Sequence, residues 1–367
     1  MVDIVEMRKQ FENERRKVDV DSLDISVREL VRMAAEETII LSPEYQRKFR
    51  WDTKIQSQLV ESILIGLPVP SIFVAVNADG RWELVDGLQR MSTFLHFYGD
   101  ERGTQSGQAS LLKLCGKSEA LQLNELEKLT AFNGATYKSL PLDIRSKFDT
   151  KFIRVISISD KSDFDVRFDT FERLNRGGVR LTEQEVRACV FRGKFSEGIR
   201  ELARDTNFRS LLKLQKAHQE DGTHEELVLK VFAYKNNRDA FRGQVTQFLN
   251  DYMKSRVAQE FSEKEKTNFT DTCSHLSVAL KGKPFLRSNV SVTPQNQFEA
   301  VAVALAEVLE EGKTPRGLSG MSKWLNDEEL VASSTGATNT KSMLTQRINR
   351  AKKLIQGRAS ASATAKR

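Results

Sequence analysis

The stretch Arg-Trp-Glu-Leu-Val-Asp-Gly-Leu-Gln-Arg-Met-Ser-Thr-Phe, residues 81–94, decides how the first half of this chain folds. A short apolar strand over 82–85 runs into Asp86 and Gly87, and an apolar helical repeat resumes at Leu88. Glycine at a strand-to-helix corner lets a ligand approach the backbone, because glycine has no Cβ. The first turn of the following helix presents unpaired N–H groups and the positive end of the helix dipole, which favour an anion. The pattern is therefore typical of a phosphate or nucleotide site.

Two charged side chains strengthen this interpretation. Arg90 lies in the first helical turn and can offer a forked, permanently charged donor to a phosphate. Asp86 comes just before the turn, where a carboxylate can hold a divalent cation or orient a water molecule. The alternative is an ordinary hairpin-to-helix turn in which Asp86 caps the helix. The segment taken alone does not decide between the two.

Two further segments point the same way. Residues 43–51 read Pro-Glu-Tyr-Gln-Arg-Lys-Phe-Arg-Trp, and residues 171–178 read Phe-Glu-Arg-Leu-Asn-Arg-Gly-Gly. With residues 86–90 they resemble, in order and spacing, the family called domain of unknown function 262, which includes the N-terminal domain of GmrSD-type restriction enzymes. The matching residues are Tyr45, Gln46 and Arg47; Asp86, Gly87, Gln89 and Arg90; and Asn175, Gly177 and Gly178. Leu88 departs from the family pattern, which commonly has glutamine there.

The resemblance implies a fold and an activity. The fold is α+β: a ParB/sulfiredoxin-like mixed sheet with helices, followed by an all-helical C-terminal domain. The activity is hydrolysis of a nucleoside triphosphate with Mg²⁺ or another divalent cation, in bacterial defence against phage. Asp86, Gln89 and Arg90 would then be catalytic, and Asp86 would hold the metal. The nucleotide or phosphate would be bound by Tyr45, Gln46, Arg47, Gly87, Asn175, Arg176, Gly177 and Gly178.

The 175–178 segment also has a simpler interpretation. Two glycines after an asparagine can form a concave nest of N–H groups for an anion. Asn and Gly are equally the usual residues for ending a helix in the left-handed conformation. Tyr45 likewise has an alternative, as a side chain packed on the core beneath a surface loop. The family resemblance favours a site shared by all three segments.

The composition is that of a globular protein. The formal charge of +7 permits nucleic-acid contact without requiring it. The three cysteines, Cys115, Cys189 and Cys273, have no metal-ligand spacing and indicate reduced thiols. The longest apolar stretch, 63–76, contains Gly66, Pro68 and Pro70, so it does not form a membrane-spanning helix. The first residues lack the pattern of a secretion signal, and we expect a cytoplasmic protein with no membrane partner.

The pattern along the chain predicts four parts. They are an N-terminal helical arm (1–20), the α/β domain with the phosphate pocket (21–195), a helical domain (196–356) and a disordered basic tail (357–367). Ile72 to Val76 and Trp82 to Val85 should form a hairpin around the turn at 77–80. Thr182-Glu-Gln-Glu predicts a capping box that opens a helix.

Three functions remain open at this stage. The first is a nucleoside triphosphatase of a defence or restriction-type system that acts on or senses DNA. The second is a non-catalytic sensor of modified or foreign DNA, for which the basic segments 5–17 and 347–353 are candidates. The third is a metal-dependent DNA nickase that uses the same pocket. The four histidines are scattered and form no nuclease motif, so a partner protein of the same defence operon could supply the nuclease. The oligomeric state stays open.

Overall fold

The computed structural model describes residues 3–15, 19–41, 51–77, 79–99, 111–159, 168–170, 182–219, 221–336 and 338–358. The contacts divide the chain into two compact units, Met1–Arg180 and Leu181–Arg367, called here the first and second unit. The domain bounds drawn from sequence stay predictions. The disordered tail predicted for the C-terminus falls almost wholly outside the described residues.

The first unit contains a mixed five-stranded sheet. Its strands are β1 (Val20–Ser26), β2 (Ile39–Ile40), β3 (Ile72–Val76), β4 (Trp82–Asp86) and β5 (Phe152–Ile158). Their spatial order is β1-β5-β3-β4-β2. The pairs β1/β5 and β3/β4 are antiparallel, whereas β3/β5 and β2/β4 are parallel. The predicted hairpin is confirmed.

The described part of the first unit also contains helices. They are α1 (Ile4–Arg15), α2 (Val27–Ala35), α3 (Thr53–Ile65), α4 (Leu88–Tyr98), α5 (Leu111–Leu114) and α6 (Leu142–Thr150). Asp52 caps α3 by accepting from the Ile55 N–H, and Gly66 ends it in the left-handed conformation at φ 88°. α4 is buried along nearly its whole length, since Phe94, Leu95 and Phe97 are inaccessible to solvent. The core of the first unit therefore fixes α4, and with it the residues that begin this helix.

The second unit is helical, and the residues described in it include no strand. Its helices are α7 (Glu183–Val190), α8 (Lys194–Ala203), α9 (Thr206–Leu211), α10 (Thr223–Asn237), α11 (Val245–Arg256), α12 (Glu263–Ala279), α13 (Gln295–Glu310), α14 (Met321–Trp324), α15 (Glu328–Ala332) and α16 (Lys341–Ile355). Thr182 and Glu185 form the predicted capping box of α7. The expected class, an α+β part with a mixed sheet followed by an all-helical part, is confirmed.

A buried ionic chain joins α7, α10 and α13. Arg187, with no exposed side-chain surface, donates to Glu226 at 2.5 Å. Lys230 lies 3.0 Å from Glu226 and 3.3 Å from Glu299, whose side chain is 1% exposed. Burial alone would lower the pKa of Lys230, but the negative charges of Glu299 and Glu226 raise it. The stability of each buried charge in this row of four side chains therefore depends on the charges beside it.

None of the helices in the described part of the chain combines the length and apolarity needed to cross a bilayer.

Candidate functional site

The β4–α4 corner is built around a β-bulge. Phe73 pairs with Asp86 and Val74 pairs with Leu84, so Val85 is an extra residue on β4. A bulge changes the direction in which the following side chain projects. The side chain of Asp86 is 48% exposed. The corner therefore presents a half-exposed carboxylate at the end of a central hairpin.

Gly87 makes the turn from β4 into α4. Its φ of 108° lies in the left-handed region, and a Cβ there would stand 3.0 Å from Ile72 Cγ1. Gly87 is the N-cap of α4, so the N-cap position has no side chain that could cap this helix. The first-turn N–H groups of a helix have no intrahelical acceptor. Asp86 accepts from Arg90 and Gly87 is the N-cap, so the interpretation in which Asp86 caps α4 is wrong. A helix N-terminus that begins at a glycine corner suits an anion.

Arg90 holds the corner together. Its Nη1 donates to the carbonyl oxygens of Pro70 at 2.5 Å and Ser71 at 2.8 Å. Its Nη2 donates to Asp86 Oδ2 at 2.9 Å. The arginine side chain is only 10% exposed. Arg90 thus joins the 70–71 backbone to the carboxylate, and most of its donors are engaged within the protein.

Gln89 connects the corner to the start of α3. Its Oε1 accepts from the Trp51 N–H at 3.1 Å. Gln56 donates from Nε2 to the Trp51 carbonyl oxygen at 2.8 Å, and its Oε1 lies 2.6 Å from His96 Nδ1. Trp51 is the last residue of the 43–51 segment, which carries Tyr45, Gln46 and Arg47. Gln89 therefore ties the described end of that segment to the 86–90 motif.

His96 is the buried end of this hydrogen-bonded chain. Burial lowers its pKa, and the positive charge of Lys117 lowers it further, while a backbone contact with Glu119 opposes both. Since Gln56 Oε1 can only accept, Nδ1 of the ring carries the proton. Sequence patterns did not identify Gln56 or His96, because they lie 40 residues apart and neither belongs to a motif.

A cavity of about 540 Å³ lies next to His96. Its lining includes Thr53, His96 and Asn124, and none of the predicted site residues. The side chains of Thr53 and Asn124 bond to each other at 3.0 Å. The residues that line the cavity are therefore different from those of the Asp86 corner.

The remaining predicted site residues lie outside the described part of the chain. These are Tyr45, Gln46, Arg47, Asn175, Arg176, Gly177 and Gly178. The structure brings together Asp86, Gly87, Gln89 and Arg90, with Leu88 half-buried against the core of the first unit. Convergence of all three segments stays a prediction.

Among the described residues, no group of three or more His, Cys, Asp or Glu side chains could hold a metal ion. Asp86 contributes one carboxylate, and one of its oxygens already accepts from Arg90. Mg²⁺ commonly takes one or two protein carboxylates and completes its shell with water and substrate phosphates. The corner therefore fits a metal carried mainly by a phosphorylated ligand.

Comparison with protein families identifies the first part of the chain. Residues 27–192 match the family described as GmrSD restriction endonuclease, N-terminal domain. The resemblance inferred from the motifs is therefore confirmed for this part of the chain. Searches of curated proteins and of solved structures returned no match.

Proposed function

We propose that this chain, whose residues 27–192 match the GmrSD-type N-terminal domain, binds and hydrolyses a nucleoside triphosphate in a restriction-type defence system that acts on DNA. The observation that carries the proposal is the β4–α4 corner. There the N-terminus of α4, a glycine N-cap with φ 108° and a half-exposed carboxylate meet within three residues. Helix N-termini with such glycine corners bind phosphate groups.

Each residue of the corner has a defined part in this proposal. The backbone at Gly87 and the first turn of α4 would donate N–H groups to the phosphate oxygens. Arg90 would keep Asp86 in place and add positive charge beneath the phosphates. Gln89, tied to Trp51, would orient the attacking water or keep the 45–47 segment close to the ligand. Phosphoryl transfer depends mainly on positioning and electrostatics, so a histidine-based triad is not needed.

Asp86 would hold the divalent cation through the oxygen that does not face Arg90. When bound, the cation would neutralise charge on the phosphate chain. The other two segments would complete the pocket. Arg47 and Arg176 would add positive charge, and Asn175, Gly177 and Gly178 would add backbone and amide donors. Tyr45 and Gln46 would contact the nucleotide.

Leu88 is a hydrophobic residue within the 86–90 motif. Leu88 packs against the core of the first unit, so its side chain offers no polar group to a ligand. Binding rests on Gly87 and the helix end, which Leu88 does not disturb. Hydrolysis rests on Asp86 and Gln89. The two steps therefore need separate measurements.

The test is phosphate release from ATP, GTP, CTP and UTP with Mg²⁺, with and without duplex DNA, for wild type and Asp86→Ala. Asp79→Ala is the matched control, because Asp79 is an exposed carboxylate of the neighbouring hairpin and pairs with Arg81. We expect release by wild type and by the control, and loss of release in Asp86→Ala. Equal rates in all three proteins would refute the assignment of Asp86.

A non-catalytic DNA sensor is the second candidate, and an exposed group of lysines in the second unit favours it. Its signature is DNA binding without phosphate release from any triphosphate. No observation on the described residues favours the nickase over the other two functions.

A further inference from the structure

The basic C-terminal helix offers little free positive charge. Arg347 is 1% exposed and donates to the Thr338 carbonyl oxygen at 3.0 Å. Arg350 pairs with Asp327 at 2.7 Å, and Lys352 pairs with Glu307 at 2.8 Å. Two of the four basic residues of 347–353, Arg350 and Lys352, are therefore paired with acids of the second unit, and Lys353 is exposed. A DNA contact by this segment stays a prediction.

Two other segments of the second unit are basic and contain no acidic residue. Residues 206–219 include Arg209, Lys213 and Lys216 but no Asp or Glu. Residues 272–298 include Lys281, Lys283 and Arg287 and again no Asp or Glu. The whole chain has 50 acidic residues among 367, about one in seven, so a stretch of 27 residues without one is unusual. The positive charge of both segments is therefore not offset locally.

The fold places these two segments side by side. The Phe285 N–H donates to the Leu211 carbonyl oxygen at 2.8 Å. The Thr293 N–H donates to the Lys213 carbonyl oxygen at 2.9 Å, and the Lys213 N–H donates to Thr293 Oγ1 at 2.9 Å. Lys283 lies two residues from Phe285, and Lys213 lies two residues from Leu211. Their backbones are therefore neighbours although 70 residues separate them in sequence.

Four lysines of this region, Lys213, Lys216, Lys281 and Lys283, are exposed and are called here the lysine surface. None of the salt bridges formed within the described residues involves any of the four.

Two acids near the ends of the first segment, Asp205 and Asp221, are already engaged. Asp205 caps α9 by accepting from the Phe208 N–H at 2.8 Å. Asp221 is 6% exposed and accepts from Thr223 Oγ1 at 2.6 Å. Neither carboxylate forms a described ion pair with the lysine surface.

We propose that the lysine surface contacts the phosphate backbone of duplex DNA. Exposed lysines without acidic partners attract a polyanion, and each phosphate contact releases condensed counterions. Lysine acts as a point charge on a flexible stem, which suits sequence-independent contact with phosphates rather than with base edges. The proposal takes DNA as partner from the proposed function, but it does not depend on nucleotide hydrolysis.

The test is fluorescence anisotropy of a labelled duplex without nucleotide, over a range of salt concentrations, for three proteins. The first is wild type. The second carries K213Q, K216Q, K281Q and K283Q. The control carries K194Q, K313Q, K341Q and K353Q, four exposed lysines elsewhere in the second unit, so both variants lose the same net charge. Circular dichroism and thermal melting verify that both variants are folded.

The slope of log K against log salt counts the phosphate contacts. We expect the lysine-surface variant to lose a slope of about 0.9 per contacting lysine, and hence 10-fold or more in affinity at low salt. We expect the control to stay close to wild type. Equal slopes for the two variants, or no DNA binding by wild type, would overturn the proposal.

Phosphate release keeps this outcome separate from the proposed function. The lysine-surface variant should release phosphate without DNA as fast as wild type, and Asp86→Ala should keep the wild-type salt slope. Loss of the salt slope with no triphosphatase activity in any protein would support the lysine surface and refute the hydrolase.

Discussion

Replacing Arg90 with alanine should destabilise the first unit. The guanidinium donates to the carbonyl oxygens of Pro70 and Ser71 and to the carboxylate of Asp86. Arg90→Ala removes all three hydrogen bonds and releases the 70–71 backbone from the start of α4. We therefore expect a local loss of stability around β3, β4 and α4.

The three bonds set the size of the effect. A hydrogen bond to a charged group contributes about 1.5–3 kcal/mol. Water can replace part of the two backbone bonds, because Pro70 is exposed and Ser71 is half-buried. The pair with Asp86 contributes at most about 1 kcal/mol, since the carboxylate is half-exposed. A total of about 3 kcal/mol follows.

Hydrogen exchange measured by mass spectrometry checks this value on peptides from β3, β4 and α4. Arg81→Ala is the matched control, because Arg81 lies on the same hairpin and its ion pair with Asp79 is exposed on both sides. That pair should contribute less than about 1 kcal/mol. The reasoning about Arg90 fails if Arg90→Ala changes the opening free energy no more than Arg81→Ala does.

Three further changes test other parts of the structure. Gly87→Ala should destabilise the protein by about 2 kcal/mol, more than Gly80→Ala does. Both glycines have positive φ, but only at Gly87 would a Cβ meet Ile72, at 3.0 Å. Urea denaturation compares the two variants, and equal losses of stability would show that the contact with Ile72 has no effect. Lys230→Met should cost about 3–5 kcal/mol in thermal melting by leaving the buried Glu299 carboxylate without its lysine, and a loss under about 1 kcal/mol would argue against the ionic chain. Burial, with the charge of Arg209, lowers the pKa of His224 to about 4. Stability should therefore fall as pH drops from about 6.5 towards 4, where the unfolded state binds the proton more readily. His224→Gln should flatten that dependence, and an unchanged profile would exclude His224 as its source.

Local signals in the sequence were enough for the central hairpin and for the helix that follows it. Alternating apolar residues and the 77–80 turn predict β3 and β4, and Gly87 before an apolar repeat predicts α4. Thr182 and Glu185 likewise predict the capping box. In each case the residues that decide the structure lie within a few positions of one another. Such features can be read from a single sequence.

The contacts that define the site are non-local. Arg90 looked like a free phosphate donor, because sequence gives no sign that the carbonyls of Pro70 and Ser71 lie beside it. The hydrogen bonds that link Gln89, Trp51 and Gln56 join residues that only the tertiary fold brings together.

Whether a basic side chain is paired with an acid also depends on non-local contacts. The basic residues of α16 appeared free in sequence, whereas Asp327 and Glu307 pair with two of them from other helices. Conversely, the lysine surface consists of two segments whose proximity depends on backbone hydrogen bonds between residues 211–213 and 285–293. Net charge along the chain therefore did not locate the exposed positive surface.

The most direct test of phosphate binding at the α4 N-terminus is a crystal structure with Mg²⁺ and a non-hydrolysable triphosphate analogue. We expect density for phosphate oxygens within hydrogen-bond distance of the first-turn N–H groups after Gly87, with the cation beside Asp86. Density in the cavity next to His96 instead, or a vacant α4 end in crystals whose nucleotide lies elsewhere, would contradict the assignment of this corner.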